Sequence, residues 1–224
     1  MSLPTHLVDA NLAAYGRGDA EGLASTLAVE CQIGPLAGDP VATGREACQA
    51  AYEKTMAAYP LALTRSLNRI AVGPVVIDHE AAQRTDGARR FVATFYTIKD
   101  SAIARIETVI SQEAAQGLNT IQAQLDTYNA QDLDAHMALY QPDAIIRDWH
   151  GAITQAGVDA ICARYAGLFA EHPHNHARLV NRIAVGPVVV DHERVQRSPD
   201  GTPFEVAAIY TLRDGLIARI DFVR

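Results

Sequence analysis

A fourteen-residue stretch occurs twice and limits what this chain can fold into. Leu67 to Glu80 reads LNRIAVGPVVIDHE, and Val180 to Glu193 reads VNRIAVGPVVVDHE. Twelve of the fourteen positions are identical. The two differences, Leu67 against Val180 and Ile77 against Val190, exchange one apolar side chain for another. The copies lie 113 residues apart in a chain of 224, so one unit is written twice. Residues 1–111 and 112–224 are the two halves, each about the size of one domain.

Each copy carries a Val-Gly-Pro-Val turn between two β-rich runs, the pattern of a hairpin. With Val185 facing Val188, the pairing continues to Ile183 with Val190 and Asn181 with His192. Strand side chains alternate with period two, so these six share one face. Four of them are apolar, which predicts that this face is buried. The other face pairs Arg182 with Asp191 as opposite charges. The first copy repeats the arrangement, with Asn68 and His79 on the apolar face and Arg69 and Asp78 on the other. An Asn and a His on an apolar face either satisfy each other inside a core or turn their polar atoms into a cavity.

The two halves predict the same order of elements. The first reads as a helix over 7–15, a short helix capped by Asp19, a strand at Cys31 to Ile33, a helix over 45–58 and four strands ending at Ile110. The second reads as a helix from Glu113 to Ala130, a short helix capped by Asp132, a strand from Ala144 to Trp149 and a helix over 158–170. Four strands follow, ending at Val223. A four-strand meander that covers helices with one apolar face has to curl. Phe204, Val206, Ala208, Tyr210 and Leu212 alternate along one strand and define that inner face. A curled sheet closed by helices leaves a conical pocket.

Composition narrows the partners. Nearly half the residues are apolar (49%), enough for a core in each half, but no run approaches the roughly 20 apolar residues of a membrane span. The opening MSLPTHLVDANLAAYG lacks the basic start and long apolar run of a signal peptide. Cys31, Cys48 and Cys162 are few and unmatched between the halves, which suits a reducing, cytoplasmic setting. A net charge of −7 without any basic run argues against nucleic acid. No Gly-rich phosphate loop, GxSxG or HExxH occurs, so the expectation is no cofactor. His172-Pro-His174-Asn-His176 offers imidazoles. It has no acidic or cysteine partner nearby, and Tyr59, Leu61 and Leu63 stand there in the first half, so no metal site is read.

Three further stretches carry a resemblance: Tyr128-Asn-Ala-Gln-Asp-Leu-Asp134, Gly157-Val-Asp-Ala-Ile161, and Ala208-Ile-Tyr-Thr-Leu-Arg-Asp-Gly-Leu-Ile-Ala-Arg-Ile220. They resemble the nuclear transport factor 2-like superfamily, specifically its SnoaL-like branch, in both halves and more strongly in the second. The resemblance implies an α+β fold of two tandem cystatin-like conical barrels, helices packed on a curved, mainly antiparallel sheet. The superfamily holds ketosteroid isomerase, polyketide cyclases, epoxide hydrolases, dehydratases and proteins that only bind or dimerise, so fold does not decide activity. Members often dimerise sheet to sheet. The resemblance therefore implies a pseudo-dimer within one chain, its outer faces carrying Arg69, Asp78, Arg182 and Asp191, and leaves a further homodimer open. Ketosteroid isomerase uses a carboxylate base with a tyrosine and a protonated acid as its oxyanion hole. On the resemblance those positions fall on Asp148, Gln124 and Ala208, and the first half has Pro35 at the base position.

These expectations converge on the second half as the active one and the first as a degenerate partner. A small, mostly apolar organic molecule would be the ligand. Asp148, at the end of the apolar strand before Trp149, would act as acid and base. His192 would supply an acid or oxyanion donor, with Asn181 and Tyr210 holding the polar end of the substrate. Trp149, Tyr128 and Tyr165 would line the walls, although aromatics at such spacing also serve as plain core. The alternative is a non-enzymatic binding or dimerisation module built on the same pockets, and a third reading is a structural pseudo-dimer without a ligand.

Overall fold

The computed structural model describes residues 5–112 and 115–224. The chain divides into two compact units, Met1–Ala114 and Ala115–Arg224. The first contains α1 (Thr5–Arg17), α2 (Ala20–Ser25), β1 (Leu27–Pro35), β2 (Ala42–Thr43), α3 (Arg45–Ala58), β3 (Leu61–Val72), β4 (Val75–Arg84), β5 (Arg89–Lys99) and β6 (Ala102–Ser111). The second contains α4 (Leu118–Ala130), α5 (Leu133–Met137), β7 (Tyr140–Asp148), β8 (Ile153–Ala156), α6 (Val158–Glu171), β9 (His176–Val185), β10 (Val188–Gln196), β11 (Phe204–Arg213) and β12 (Leu216–Val223). Each unit has one six-stranded sheet, ordered β2-β1-β6-β5-β4-β3 and β8-β7-β12-β11-β10-β9. Among the described residues only β1 with β6 and β7 with β12 pair in parallel. Both units are α+β cones of one topology, as the sequence led one to expect.

Local chemistry explains the element boundaries. Asp19 Oδ1 accepts from the Gly22 amide at 2.8 Å, and Asp132 Oδ1 from the Ala135 amide at 3.1 Å, so both aspartates cap the short helices. Gly73 and Gly186 take a φ of 54° at the first central position of the two hairpin turns, which glycine allows without a Cβ penalty. The hairpin register is the expected one: Val185 lies opposite Val188, Ile183 opposite Val190, Arg182 opposite Asp191 and Asn181 opposite His192. Differences lie at the sheet edge. β1 runs nine residues where three were expected, and the edge strands β2 and β8 have too little apolar alternation to be seen beforehand. α4 starts at Leu118, after Gly117 in the left-handed region; positions 113 and 114 of the expected helix lie outside the described residues.

The faces of the repeated hairpin are the reverse of the expectation. Val189, Glu193 and Val195 face the helices, and Asp191 shares their parity. Arg182 Nη1 donates to Gln122 Oε1 on α4 at 3.1 Å, and Arg69 Nη1 to Asp9 Oδ1 on α1 at 2.7 Å. The charged pairs thus belong to the helix side of each sheet, not to an outer face. The apolar count misled because both sides of the turn end are buried: Ile183, Val185, Val188 and Val190 on one, Val189 and Asp191 on the other. No helix among the described residues is long and apolar enough to cross a membrane.

Candidate functional site

Each cone has a hollow between its helices and its sheet, and the two differ in size. The cavity of the first unit measures about 270 Å³, near the lower end of the roughly 300–1,000 Å³ usual for small-molecule pockets. That of the second unit measures about 50 Å³. The larger hollow therefore lies in the half expected to be degenerate. Lining positions that correspond through the repeat account for this. Asn11, Thr55, Ala82 and Thr108 line the first cavity, and Gln124, Leu168, Val195 and Phe222 occupy the matching places in the second. All four are larger in the second unit. Its interior also gathers Tyr128, His136, Tyr140, Tyr165 and Phe169 into one cluster of rings, with His136 and Tyr165 centroids 4.5 Å apart. The first unit has Leu23, Leu27 and Met56 where the second has His136, Tyr140 and Phe169.

Glu80 is the titratable centre of the first cavity. It is the last residue of the repeated stretch, faces the helices from β4 and is only 7% exposed. Burial lifts its carboxyl to about 7, against the lowering effect of hydrogen bonds from Thr94 and Tyr96. The Tyr96 hydroxyl donates to Glu80 Oε1 at 3.1 Å. Burial beside Glu80 holds the Tyr96 phenol well above its ordinary pKa, so it stays a donor. Tyr15 and Tyr52 meet edge to face at 5.8 Å and form an aromatic wall, while Arg90 stacks over Tyr59 at 4.9 Å. Val92, Ile106 and Ile110 complete an apolar floor.

The second cavity holds the matching glutamate, Glu193, also 7% exposed. Burial, with Asp191 nearby, pushes its carboxyl up to about 8. Tyr128, Tyr165 and Tyr210, three of the expected ligand contacts, line this cavity together. Their polar ends are already engaged in part: Tyr210 donates to Gln124 Oε1 at 3.0 Å and Tyr128 to Asn175 Oδ1 at 3.1 Å.

The remaining expected residues lie elsewhere. Asp148, Trp149, Asn181 and His192 line neither cavity. Asp148 sits at the rim of the second, its side chain 52% exposed and its Oδ1 2.8 Å from Arg224 Nη1. It is an ion-paired strand-end carboxylate, not one in an apolar mouth. Asn181 and His192 pair in register as expected, but on the face turned away from the helices, so they do not aim into the cavity. His192 Nε2 lies 3.1 Å from Glu205 Oε2, and Asn181 Oδ1 accepts from the Arg182 amide at 2.8 Å. Sequence reasoning missed Glu80 and Glu193. The available signal was a carboxylate kept in both copies, two positions beyond the aspartate of the charged pair and hence on the same face.

The model of the SnoaL-like domain family matches residues 121–220. An uncharacterised cystatin-fold protein from Novosphingobium aromaticivorans is 31% identical over 50% of this chain and 100% of its own, with a TM-score of 0.46. A putative SnoaL-like polyketide cyclase from Jannaschia is 18% identical over 50% of this chain and 90% of its own, TM-score 0.42. A putative ketosteroid isomerase from Kribbella flavida is 16% identical over 46% of this chain and 73% of its own, TM-score 0.41. Among curated proteins none matches significantly.

Proposed function

Because this chain belongs to the SnoaL-like family of the nuclear transport factor 2-like superfamily, we propose that its first unit binds a small, largely apolar organic molecule and that Glu80 moves a proton on it. The observation that carries this reading is a carboxyl group poised near 7 in the wall of an apolar cavity. A group of that kind is half ionised at neutral pH and works equally as base and as acid. As carboxylate it takes a proton from a carbon next to a carbonyl. As acid it returns the proton either to another carbon, a net isomerisation, or to a hydroxyl whose C–O bond breaks so that it departs as water, a net dehydration. Hydrogen bonds from Tyr96 and Thr94 keep the Glu80 carboxyl oriented in the cavity wall. The aromatic wall of Tyr15 and Tyr52 suits a flat ring.

The test follows hydrogen–deuterium exchange next to the carbonyl of a panel of cyclic ketones and enones in D₂O by NMR. Wild type should exchange protons at a rate that rises through about pH 7, and Glu80→Gln should lose at least 100-fold. Equal rates in both proteins would remove Glu80 from the chemistry. Asp148→Asn is the matched comparison, and a loss confined to it would return the reaction to the rim of the second unit. Saturable binding with no exchange in any variant would leave a binding module, the reading for which the tyrosine-lined walls of both cavities speak.

A further inference from the structure

The second unit carries a charge arrangement that the first does not share. Its small cavity is lined by Arg164, Arg197 and Arg224 with a single carboxylate, Glu193. The first unit has Ala51 and Ile110 at the positions of Arg164 and Arg224. The guanidinium groups are held in place by their surroundings. Arg197 Nη1 donates to Asn175 Oδ1 at 2.6 Å and to the Tyr128 hydroxyl at 2.9 Å, and its Cζ lies over the Phe204 ring, 5.4 Å from the centroid. Arg224 lies over Phe222 at the same distance, and its Nη1 donates to Asp148 Oδ1 at 2.8 Å on the rim. Arg164 donates to Gln155 through Nη1, but its Nε is buried with no hydrogen-bond partner. A buried donor of this kind is costly unless something fills the site.

We propose that the second-unit cavity is a binding site for the carboxylate head of a small organic acid, gripped by Arg164 and Arg197 with Arg224 closing the rim. Planar, forked guanidinium groups match a planar carboxylate in a way a lysine would not. The volume of about 50 Å³ admits a head group and not a fused ring system, and Phe204 and Phe222 offer an apolar surface to the rest of the molecule. Glu193 does not oppose the anion, because burial keeps its carboxyl protonated at neutral pH. This site stands independently of the reading given for Glu80.

Benzoate, its neutral counterpart benzamide, and inorganic phosphate serve as probes, titrated into the full-length protein at pH 6.5 by calorimetry. Benzoate should bind saturably and at least tenfold more tightly than benzamide or phosphate. Arg197→Gln and Arg164→Gln should each weaken benzoate at least tenfold with unchanged circular dichroism, and Glu193→Gln should keep it within about threefold. The Glu193 variant keeps the proposal testable should an arginine variant fail to fold. Benzamide binding as well as benzoate, a tenfold loss in Glu193→Gln, or a loss that follows Arg90→Gln in the first cavity instead would each overturn the proposal. Tighter binding of phosphate than of benzoate would overturn the assignment of an organic carboxylate.

Discussion

Glu80 and Glu193 are the same letter in the same repeat, and burial does to both what it does to any carboxylate: it disfavours the charged form. The consequence for stability has a definite sign. The folded pKa of Glu193, about 8, lies above the ordinary 4.5, so the folded state holds its proton more tightly than the unfolded one. The stability this contributes is complete below about pH 4.5 and is lost as pH rises toward about 8. Urea unfolding should therefore show Glu193→Gln close to wild type at pH 5. At pH 9 the variant should be more stable by roughly 3–5 kcal/mol, since each tenfold difference in proton affinity between the folded and unfolded chain is worth about 1.4 kcal/mol. Parallel pH profiles for the two proteins would show that Glu193 ionises freely. His136 works in the opposite direction: burial lowers it to about 4, so it stays neutral and its contribution fades as pH falls from about 6.5 toward 4.

At the scale of elements, the two strands of the repeated hairpin are tied to each other by an ion pair on the helix side of the sheet. Arg182 Nε and Nη2 reach Asp191 Oδ1 and Oδ2 at 2.5 and 2.6 Å, and the Asp191 side chain is fully buried. Burial outweighs the pull of Arg182 and holds the Asp191 carboxyl above its ordinary range, while Asp191 raises the Arg182 guanidinium. The pair thus costs a good deal of desolvation, and its value lies in each partner satisfying the other. Asp191→Ala should cost about 3–5 kcal/mol in thermal or urea unfolding, because it takes the counter-charge from a half-buried guanidinium. Arg182→Met combined with Asp191→Leu should recover most of that loss. A double variant no more stable than Asp191→Ala would mean that the pair, and not the uncompensated charge, sets the stability.

At the scale of the whole molecule, duplication has kept topology and register while the two interiors diverged in volume. The difference resides in a handful of lining positions, so it should be transferable. Thr108→Phe with Ala82→Val copies Phe222 and Val195 into the first cavity. This double variant should fold, with a melting temperature near wild type, and should weaken any first-unit ligand at least tenfold by displacement titration. Unchanged affinity would place that ligand elsewhere. The substitutions add apolar bulk to an existing void, a change that close packing tolerates up to the volume available.

The repeat, the order of elements and the hairpin register were all legible in the residues, because turn chemistry and side-chain period are local properties. Asp19 and Asp132 announce their helices, and Val-Gly-Pro-Val announces its turn, wherever the chain goes next. The tertiary structure alone decided which side of the hairpin meets the helices, since apolar side chains occupy both sides of its turn end and alternation then carries no sign. It also decided which cone is hollow, because a cavity is the difference between two large volumes contributed by residues far apart in sequence. Asp148 had the right letter at a strand end, but its exposure and its bond to Arg224 arise only when β12 comes alongside β7 and brings Arg224 to it. Glu80 looked like one more charge on a strand until the folded helices excluded water from it.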